Sequence, residues 1–347
     1  MCWSSWCSIA TDAEQHLCNG GSVPEHLRRS ILVSLALGLF VAIALGLISD
    51  IRDVASSFGA FDWGALPAVL GLTLFNYVLR WLKWDYYLRR MGMGDGVGYY
   101  DSALLFTSGM VMAVTPAKVG EVLKSALLKR INGTPIAASA PIVLAERITD
   151  GLAMLLLMGA GLTLYPPARP AFAALLVLTV AGLLLVQSQS LMQRALAMLA
   201  RLPFAGKAVP RVATAYESSR QLLAWRLLFV STVISVVSWF GECAAMYYVL
   251  IGLGITGEAL LLKATFVFAA STLFGLVSFL PGGLGVSEAS STGLLVLLVP
   301  MAAGPATTAT IIIRFCTLWF GVSLGVVALA LFGRRYGTPL AEASRAT

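Results

Sequence analysis

Long stretches without a single charged side chain recur along this chain, and they restrict its fold more than any other feature. Four of them are residues 30–49, 171–190, 227–241 and 315–333, and each holds 15 to 20 residues. That length approaches the roughly 20 apolar residues that cross about 30 Å of hydrocarbon. Only 12% of the residues are charged, against roughly 25% in soluble domains. The sequence therefore predicts an all-α polytopic membrane protein, with one integral membrane domain over residues 28–335.

We predict about six spans and two re-entrant hairpins. The spans lie near residues 30–49, 64–83, 148–165, 171–187, 227–250 and 307–332. Two further apolar stretches, 102–117 and 259–299, are interrupted by proline and are interpreted as the hairpins. A segment too short to span is more often re-entrant or buried.

The distribution of basic residues sets the expected orientation. Lys and Arg concentrate in the loops on one side, as cytoplasmic loops require; the residues at these loop ends include Arg28, Arg80, Lys83, Lys124 and Arg334. The loop at 188–226 carries six basic residues, and its mixture of Arg, Leu and Ala favours an amphipathic surface helix. We therefore expect a bacterial cytoplasmic (inner) membrane protein with both termini cytoplasmic. Residues 1–27 are interpreted as a disordered tail or an extended start of the reading frame, and residues 336–347 as a second tail.

Some functions are disfavoured by composition. The net charge of +7 does not indicate nucleic-acid binding, because the basic residues separate apolar segments and form no recognisable binding module. Cys243 and Cys316 lie in apolar segments, where free cysteine behaves as a small hydrophobic residue. The two histidines, His16 and His26, lie in the N-terminal region. We therefore expect no metal ion and no cofactor.

Two segments repeat one pattern in which proline follows an uncharged stretch and is followed by glycine and glutamate. They are residues 115–121 (TPAKVGE) and 280–288 (LPGGLGVSE). Proline breaks a helix, and broken backbone within a membrane persists only where it is buried in protein or lines a cavity. The predicted break residues are Pro116, Gly120, Pro281, Gly282, Gly283 and Gly285.

The spacing after each break is also repeated. Glu121 precedes Arg147 by 26 residues, and Glu288 precedes Arg314 by the same distance. The predicted spans place the two segments in opposite orientations. The sequence therefore predicts two inverted repeats, at about 64–165 and 227–332. In transporters with inverted repeats, paired interrupted segments of this kind mark the binding site.

Ionisable side chains within the membrane form the predicted binding site, since each needs a partner or a wet cavity there. The candidates are Lys118, Glu121, Arg147, Asp150, Glu242, Glu288 and Arg314. One hypothesis is that Glu121–Arg147 and Glu288–Arg314 are ion pairs that lock the repeats together. The other is that the arginines bind a lipid phosphate, which suits the planar guanidinium.

Three segments of this sequence together resemble the flippase-like family typified by the transmembrane region of bacterial lysylphosphatidylglycerol synthase. The matching segments are 115–121, 146–150 and 281–288, and the resemblance covers about 30–335. It implies movement of a lipid between leaflets; in the synthase this region translocates aminoacylated phosphatidylglycerol made by a fused cytosolic domain. Stand-alone relatives are associated with polyprenyl-phosphate sugar pathways and with hopanoid genes, and either substrate fits. The sequence ends at Thr347 without an aminoacyl-transferase domain, so we expect no lipid lysylation by this polypeptide.

The leading hypothesis is a lipid translocase, flippase- or scramblase-like, for an anionic or isoprenoid-derived lipid. A secondary transporter of a small anion would use the same repeats around a water-filled cavity. A scaffold would hold a lipid-modifying enzyme at the membrane. An intramembrane transferase ranks last, because the membrane region has no histidine and no Asp-x-Asp motif, so we expect no enzymatic activity. The expected partners are a membrane lipid with a phosphate headgroup or an isoprenoid lipid, a lipid-synthesising enzyme and a second copy in a homodimer.

Overall fold

The computed structural model describes residues 51–114, 121–190, 208–278 and 280–336. Every regular element in these residues is helical, which confirms the predicted all-α class. The predicted tail at 1–27, the first predicted span at 30–49 and residues 337–347 of the second predicted tail lie outside the described residues.

The described helices are numbered in chain order. In the first half they are α1 (Ile51–Ala60), α2 (Leu66–Arg90), α3 (Tyr99–Gly109, continued by a 3-10 turn at Met110–Val114), α4 (Leu123–Asn132), α5 (Ile136–Ala160) and α6 (Arg169–Gln187). In the second half they are α7 (Ala208–Leu222), α8 (Trp225–Gly252), α9 (Leu260–Val277), α10 (Val286–Leu298), α11 (Ala303–Arg314) and α12 (Phe320–Tyr336). A π-helical segment, Phe315–Trp319, joins α11 to α12.

Five helical segments of the described chain are long and apolar enough to cross a membrane. They are Trp63–Arg90, Pro166–Leu184, Trp225–Gly252, Leu260–Val277 and Ala303–Tyr336. Four of them overlap the predicted spans at 64–83, 171–187, 227–250 and 307–332. The protein is therefore a multi-pass membrane protein.

Helix α5 differs from its predicted span at 148–165. It begins at Ile136, because Pro135 is held in an extended conformation (φ −61°, ψ 137°), and it ends at Ala160. Three charged residues, Glu146, Arg147 and Asp150, lie within it, so it is not among the five apolar segments. These residues are nevertheless in the interior: Glu146 is fully buried and Asp150 is 5% exposed.

The two proline-broken regions fold as pairs of helices. Helices α3 and α4 contain 11 and 10 residues, or about 15–17 Å each at 1.5 Å per residue, too short to cross the membrane alone. Helix α9 has 18 residues and is long enough to cross by itself, a length the hairpin prediction for 259–299 did not anticipate. The chain then breaks at Pro281–Gly283 and returns as the 13-residue α10.

The order of elements occurs twice. A long helix, a shorter helix, a second short helix and a long helix appear as α2 to α5 and again as α8 to α11 with its continuation α12. Helices α2 and α8, which begin the two series, pack against each other extensively. At their crossing Asn76 Nδ2 donates to the Ser238 carbonyl at 2.9 Å and to Ser238 Oγ at 2.8 Å. This order agrees with an internal repeat; its inversion stays a prediction.

Helix α2 has its polar side turned inward. Asn76 and Lys83 are fully buried and Arg80 is 9% exposed, whereas Phe75 and Val78 are 44% and 48% exposed. That polarity is the reverse of a helix on the surface of a soluble protein. It is stable where the surroundings are hydrocarbon, because lipid solvates the apolar face and the protein interior satisfies the polar one.

Two apolar clusters flank these polar residues along the helices. Along α2, Val69 belongs to one cluster and Trp84 to the other. Along α5, Ile142 belongs to the second cluster and Ala153 to the first. The charged residues of both helices therefore lie between two well-packed apolar regions.

The basic loop predicted at 188–226 contains a helix, as expected. Helix α7 packs against α5, and Leu222 at its end is fully buried. Glu217 on the same helix has a half-exposed side chain paired with Arg220. Residues 191–207 of this loop lie outside the described chain.

Candidate functional site

The charged interior begins with Lys83, whose ammonium group is fully enclosed. Lys83 Nζ lies 2.6 Å from Asp150 Oδ1 and donates to Ser235 Oγ at 2.7 Å and to Thr149 Oγ1 at 3.2 Å. Ser235 Oγ also donates to Asp150 Oδ1, at 3.0 Å. Helices α2, α5 and α8 are thus joined by one buried network in which the charge and its hydrogen bonds are both satisfied.

Asp150 lies close to more than one cation. Its second oxygen, Oδ2, lies 3.8 Å from Arg80 Nε and 3.7 Å from Arg147 Nη2, beyond hydrogen-bond distance. A single carboxylate therefore faces three basic side chains, and only that of Lys83 contacts it closely.

A second group of charges joins α4 to α5. Lys124 Nζ lies 2.5 Å from Glu146 Oε2, with both side chains buried. The same ammonium lies 4.6 Å from the ring centre of Trp84 and 5.1 Å from that of Phe106, within the range of cation–π attraction. Glu121, just before α4, accepts a hydrogen bond from Arg147 Nη2 at 2.8 Å.

The second broken segment carries the equivalent pair. Arg314 Nε lies 2.5 Å from Glu288 Oε1, and Arg314 Nη2 donates to the Gly282 carbonyl at 2.8 Å. Glu288 Oε2 accepts from the Gly285 backbone N–H at 2.7 Å, so the same carboxylate closes the start of α10. Both ion pairs expected from the 26-residue spacing form in the structure.

Glycine is required at this break by the backbone itself. Gly282, Gly283 and Gly285 have φ values of 60°, 67° and 88°, which favour glycine because other residues are strained there. Gly275 of α9 approaches so closely that a Cβ on Gly283 would lie 3.0 Å from its Cα. The predicted break residues Pro281, Gly282 and Gly283 form a 3-10 turn.

Two adjoining cavities lie among these residues. The first is lined by Arg147, Asp150, Gly151, Met154, Trp239, Thr272, Leu273, Gly275, Leu276, Leu280, Gly282, Gly283, Ser287 and Arg314. The second is lined by Asn76, Tyr77, Arg80, Phe106, Gly109, Met110, Ala113, Glu121, Lys124, Trp239, Glu242, Phe268, Thr272, Arg314, Thr317, Leu318 and Gly321. Trp239, Thr272 and Arg314 line both, so the two cavities adjoin, and we call them together the recess.

Most of the predicted site residues line the recess. Arg147 and Asp150 line its first part, Glu121 and Glu242 its second, and Arg314 both. Glu288 contacts the recess through its pair with Arg314. Lys118, Pro116 and Gly120 lie outside the described residues.

Glu242 has a different environment from the other carboxylates. It is 1% exposed, and its Oε2 accepts from Thr73 Oγ1 at 3.3 Å. Within the described part of the chain, no basic side chain lies within ion-pair distance of it, although Arg80 lines the same cavity.

Three residues of the cluster were counted from the sequence as cytoplasmic charges and not as site residues. The structure buries Arg80, Lys83 and Lys124 in the protein interior. The recurrence of polar residues at 73, 76, 80 and 83, on one face of an otherwise apolar helix, is the signal that could have revealed this.

Comparison with known proteins agrees with the arrangement. The chain matches the model of the family described as "Lysylphosphatidylglycerol synthase TM region" over residues 31–325. It is similar to a "UPF0104 membrane protein" of Methanothermobacter thermautotrophicus, with 23% identity over 326 residues that cover 87% of this chain and 93% of that protein. A shorter match to a protein of the same name and organism has 28% identity over 103 residues, 29% of each chain. Because the family match spans most of its length, the chain belongs to the lysylphosphatidylglycerol synthase transmembrane-region family.

Proposed function

We propose that this protein moves a lipid with an anionic headgroup between the leaflets of the cytoplasmic membrane, without changing it chemically. The observation that carries the proposal is the composition of the recess. Arg80, Arg147 and Arg314 line it together with Trp239, Phe106 and Phe268. A surface of this kind suits an amphiphile, since guanidinium groups bind phosphate and the rings contact the hydrocarbon next to it.

The two broken segments support movement as well as binding. The second break, Pro281–Gly283, and the 3-10 turn Met110–Val114 at the end of α3 contact each other and border the recess. Short 3-10 turns have poorer hydrogen-bond geometry than a continuous α-helix and rearrange at lower cost, and transporters place interrupted segments at the binding site. Each broken segment bears one glutamate–arginine pair, and a phosphate can compete with the carboxylate for the arginine.

The test is a translocation assay with the purified protein in liposomes. Fluorescent phosphatidylglycerol, a polyprenyl phosphate and a hopanoid are supplied separately, with and without a proton gradient. We expect protein-dependent movement of one of them, lost in Arg314→Ala and retained in Arg335→Ala, a matched arginine that is half exposed and lines neither cavity. The recovered lipid is expected to be unaltered by mass spectrometry.

The alternatives give different results in the same preparation. Uptake of a water-soluble anion without lipid movement would identify a solute transporter. Absence of any movement, with folded protein and a gradient applied, would favour a membrane scaffold and refute the proposal.

A further inference from the structure

Arg80 differs from the other buried cations in having no hydrogen-bond acceptor. Arg147 donates to Glu121, Arg314 donates to Glu288 and Gly282, and both buried lysines are paired with carboxylates. Within the described chain the Arg80 guanidinium donates no hydrogen bond; its nearest carboxylate oxygen, on Asp150, is 3.8 Å away. Its Nε is buried without a partner, and because burying an N–H donor unpaired is costly, an acceptor is missing among the described residues.

The surrounding charges are also unequal in number. Among the described residues, the ion-pair network of α2, α4 and α5 contains four cations, namely Arg80, Lys83, Lys124 and Arg147, and three carboxylates, namely Glu121, Glu146 and Asp150. Counted over these seven ionised groups, the network is one negative charge short. Glu242 shares the cavity with Arg80, but it lies beyond ion-pair distance and accepts from Thr73.

The position of Arg80 suits an anion that enters the recess. The residue lines the second cavity, and its Cζ lies 5.3 Å from the ring centre of Trp239 and 5.8 Å from that of Phe106. Cation–π contacts at these distances hold the guanidinium in place while its N–H groups stay unsatisfied. An acceptor with two oxygens, such as a phosphate group, can bind the guanidinium through two parallel hydrogen bonds.

We propose that Arg80 is the primary phosphate-binding residue of the recess, and that the phosphate monoanion of a lipid supplies the negative charge missing from the network. That the phosphate comes from a lipid rests on the proposed function. Arg147 and Arg314 donate to their glutamates, so Arg80 is the arginine available for first contact. A phosphodiester carries the single negative charge that balances the network.

A distinctive consequence concerns stability. If Arg80 is an unneutralised buried cation, Arg80→Gln keeps the fold and has a melting temperature equal to or above that of the wild type in the absence of ligand. A residue that braced the structure would instead lower the melting temperature when removed. Arg89→Gln is the matched control, since Arg89 lies on the same helix but is paired with Asp85 at 2.7 Å on a partly exposed face.

The binding experiment uses the full chain in a maltoside detergent and phosphate-free buffer. The probes are dihexanoyl-phosphatidylglycerol, dihexanoylglycerol, which lacks the phosphate, and inorganic phosphate. We expect the phosphatidylglycerol to bind wild type and Arg89→Gln within about twofold of each other. Arg80→Gln is expected to bind it about tenfold to a hundredfold more weakly, because a charge-assisted bidentate contact is lost. Arg80→Lys is expected to bind it with intermediate affinity.

Each other result is decisive. Equal binding of phosphatidylglycerol by Arg80→Gln and wild type, or equal binding of dihexanoylglycerol, overturns the assignment. Inorganic phosphate that binds as tightly as the lipid overturns the lipid as the source. Translocation at the wild-type rate by Arg80→Gln refutes this inference and leaves the translocase proposal intact. Arg80-dependent binding in a protein that translocates nothing refutes the translocase proposal alone.

Discussion

Lys124 Nζ and Glu146 Oε2 lie 2.5 Å apart, with side chains 2% and 0% exposed. The pair connects the short α4 to the long α5 and borders the recess at Lys124. The fold depends on both charges, because either residue alone would be a buried charge without a close partner of opposite sign.

Lys124→Met is therefore expected to destabilise the protein by about 3 kcal/mol, since it leaves a buried carboxylate without its close partner. Lys124→Met/Glu146→Leu is expected to recover at least half of that loss, because an apolar pair needs no charge compensation. Equilibrium unfolding in mixed detergent micelles measures both. Arg220→Ala, which breaks a pair with Glu217 whose side chains are 35% and 50% exposed, should cost less than about 1 kcal/mol; a similar cost for Lys124→Met would contradict the prediction.

Gly275→Ala is expected to destabilise the packing of α9 against the Pro281–Gly283 break and α10 by about 1–3 kcal/mol through overpacking. A Cβ at this position would collide with Ser287 Oγ and approach Gly283 Cα to 3.4 Å. Gly293→Ala on α10 is the control, since nothing lies within 4 Å of its added Cβ, and it should stabilise by about 0.5–1 kcal/mol through helix propensity. Thermal unfolding distinguishes the two, and equal melting temperatures would show that the hairpin is loosely packed.

Asn76→Ala is expected to cost about 1 kcal/mol at the crossing of α2 and α8. The substitution removes both hydrogen bonds to Ser238 and leaves the Ser238 hydroxyl still donating to the Asn76 carbonyl at 3.2 Å. A double-mutant cycle with Ser238→Ala should give a coupling energy of roughly 0.6–1.7 kcal/mol, the range found between membrane helices. A coupling energy of zero would mean that the amide is equally well satisfied without Ser238.

Leu178→Asp is expected to impair membrane integration without disturbing the interior. Leu178 lies on α6 and is 68% exposed, so its side chain faces the surroundings of the protein. A charge at the centre of a span costs at least about 2.5–3.5 kcal/mol of insertion free energy. Carbonate extraction of membranes measures the integrated fraction, with Leu178→Ala expected to behave as the wild type. Full integration of Leu178→Asp would place this face away from lipid.

The sequence was informative wherever the membrane or the covalent spacing imposes the structure. Hydrocarbon admits apolar helices and little else, so the long helices such as Trp225–Gly252 could be predicted from composition alone. The pairs Glu121–Arg147 and Glu288–Arg314 could be predicted because the repeated spacing of 26 residues brings equivalent groups together twice.

The remaining features depend on tertiary packing. A lysine near the end of a span has the same sequence context whether it faces the cytoplasm or the interior, and only the rotation of α2 against α5 and α8 decides that Lys83 is buried. The predicted span began at residue 148, whereas α5 begins at Ile136. The charges of Glu146 and Arg147 are compensated inside the protein, so the helix continues through them.

The π-helical segment Phe315–Trp319 has a consequence for the whole C-terminal helix. Its closing bond runs from Phe320 N–H to the Phe315 carbonyl, so this turn contains one residue more than an α-helical turn. One residue corresponds to a rotation of about 100°. The insertion therefore sets how far α12 is rotated about the helix axis relative to Arg314. Arg314 is directed at Glu288, and α12 packs against α3. Deleting one residue here would leave a continuous helix of nearly the same length whose two halves could no longer both face their partners.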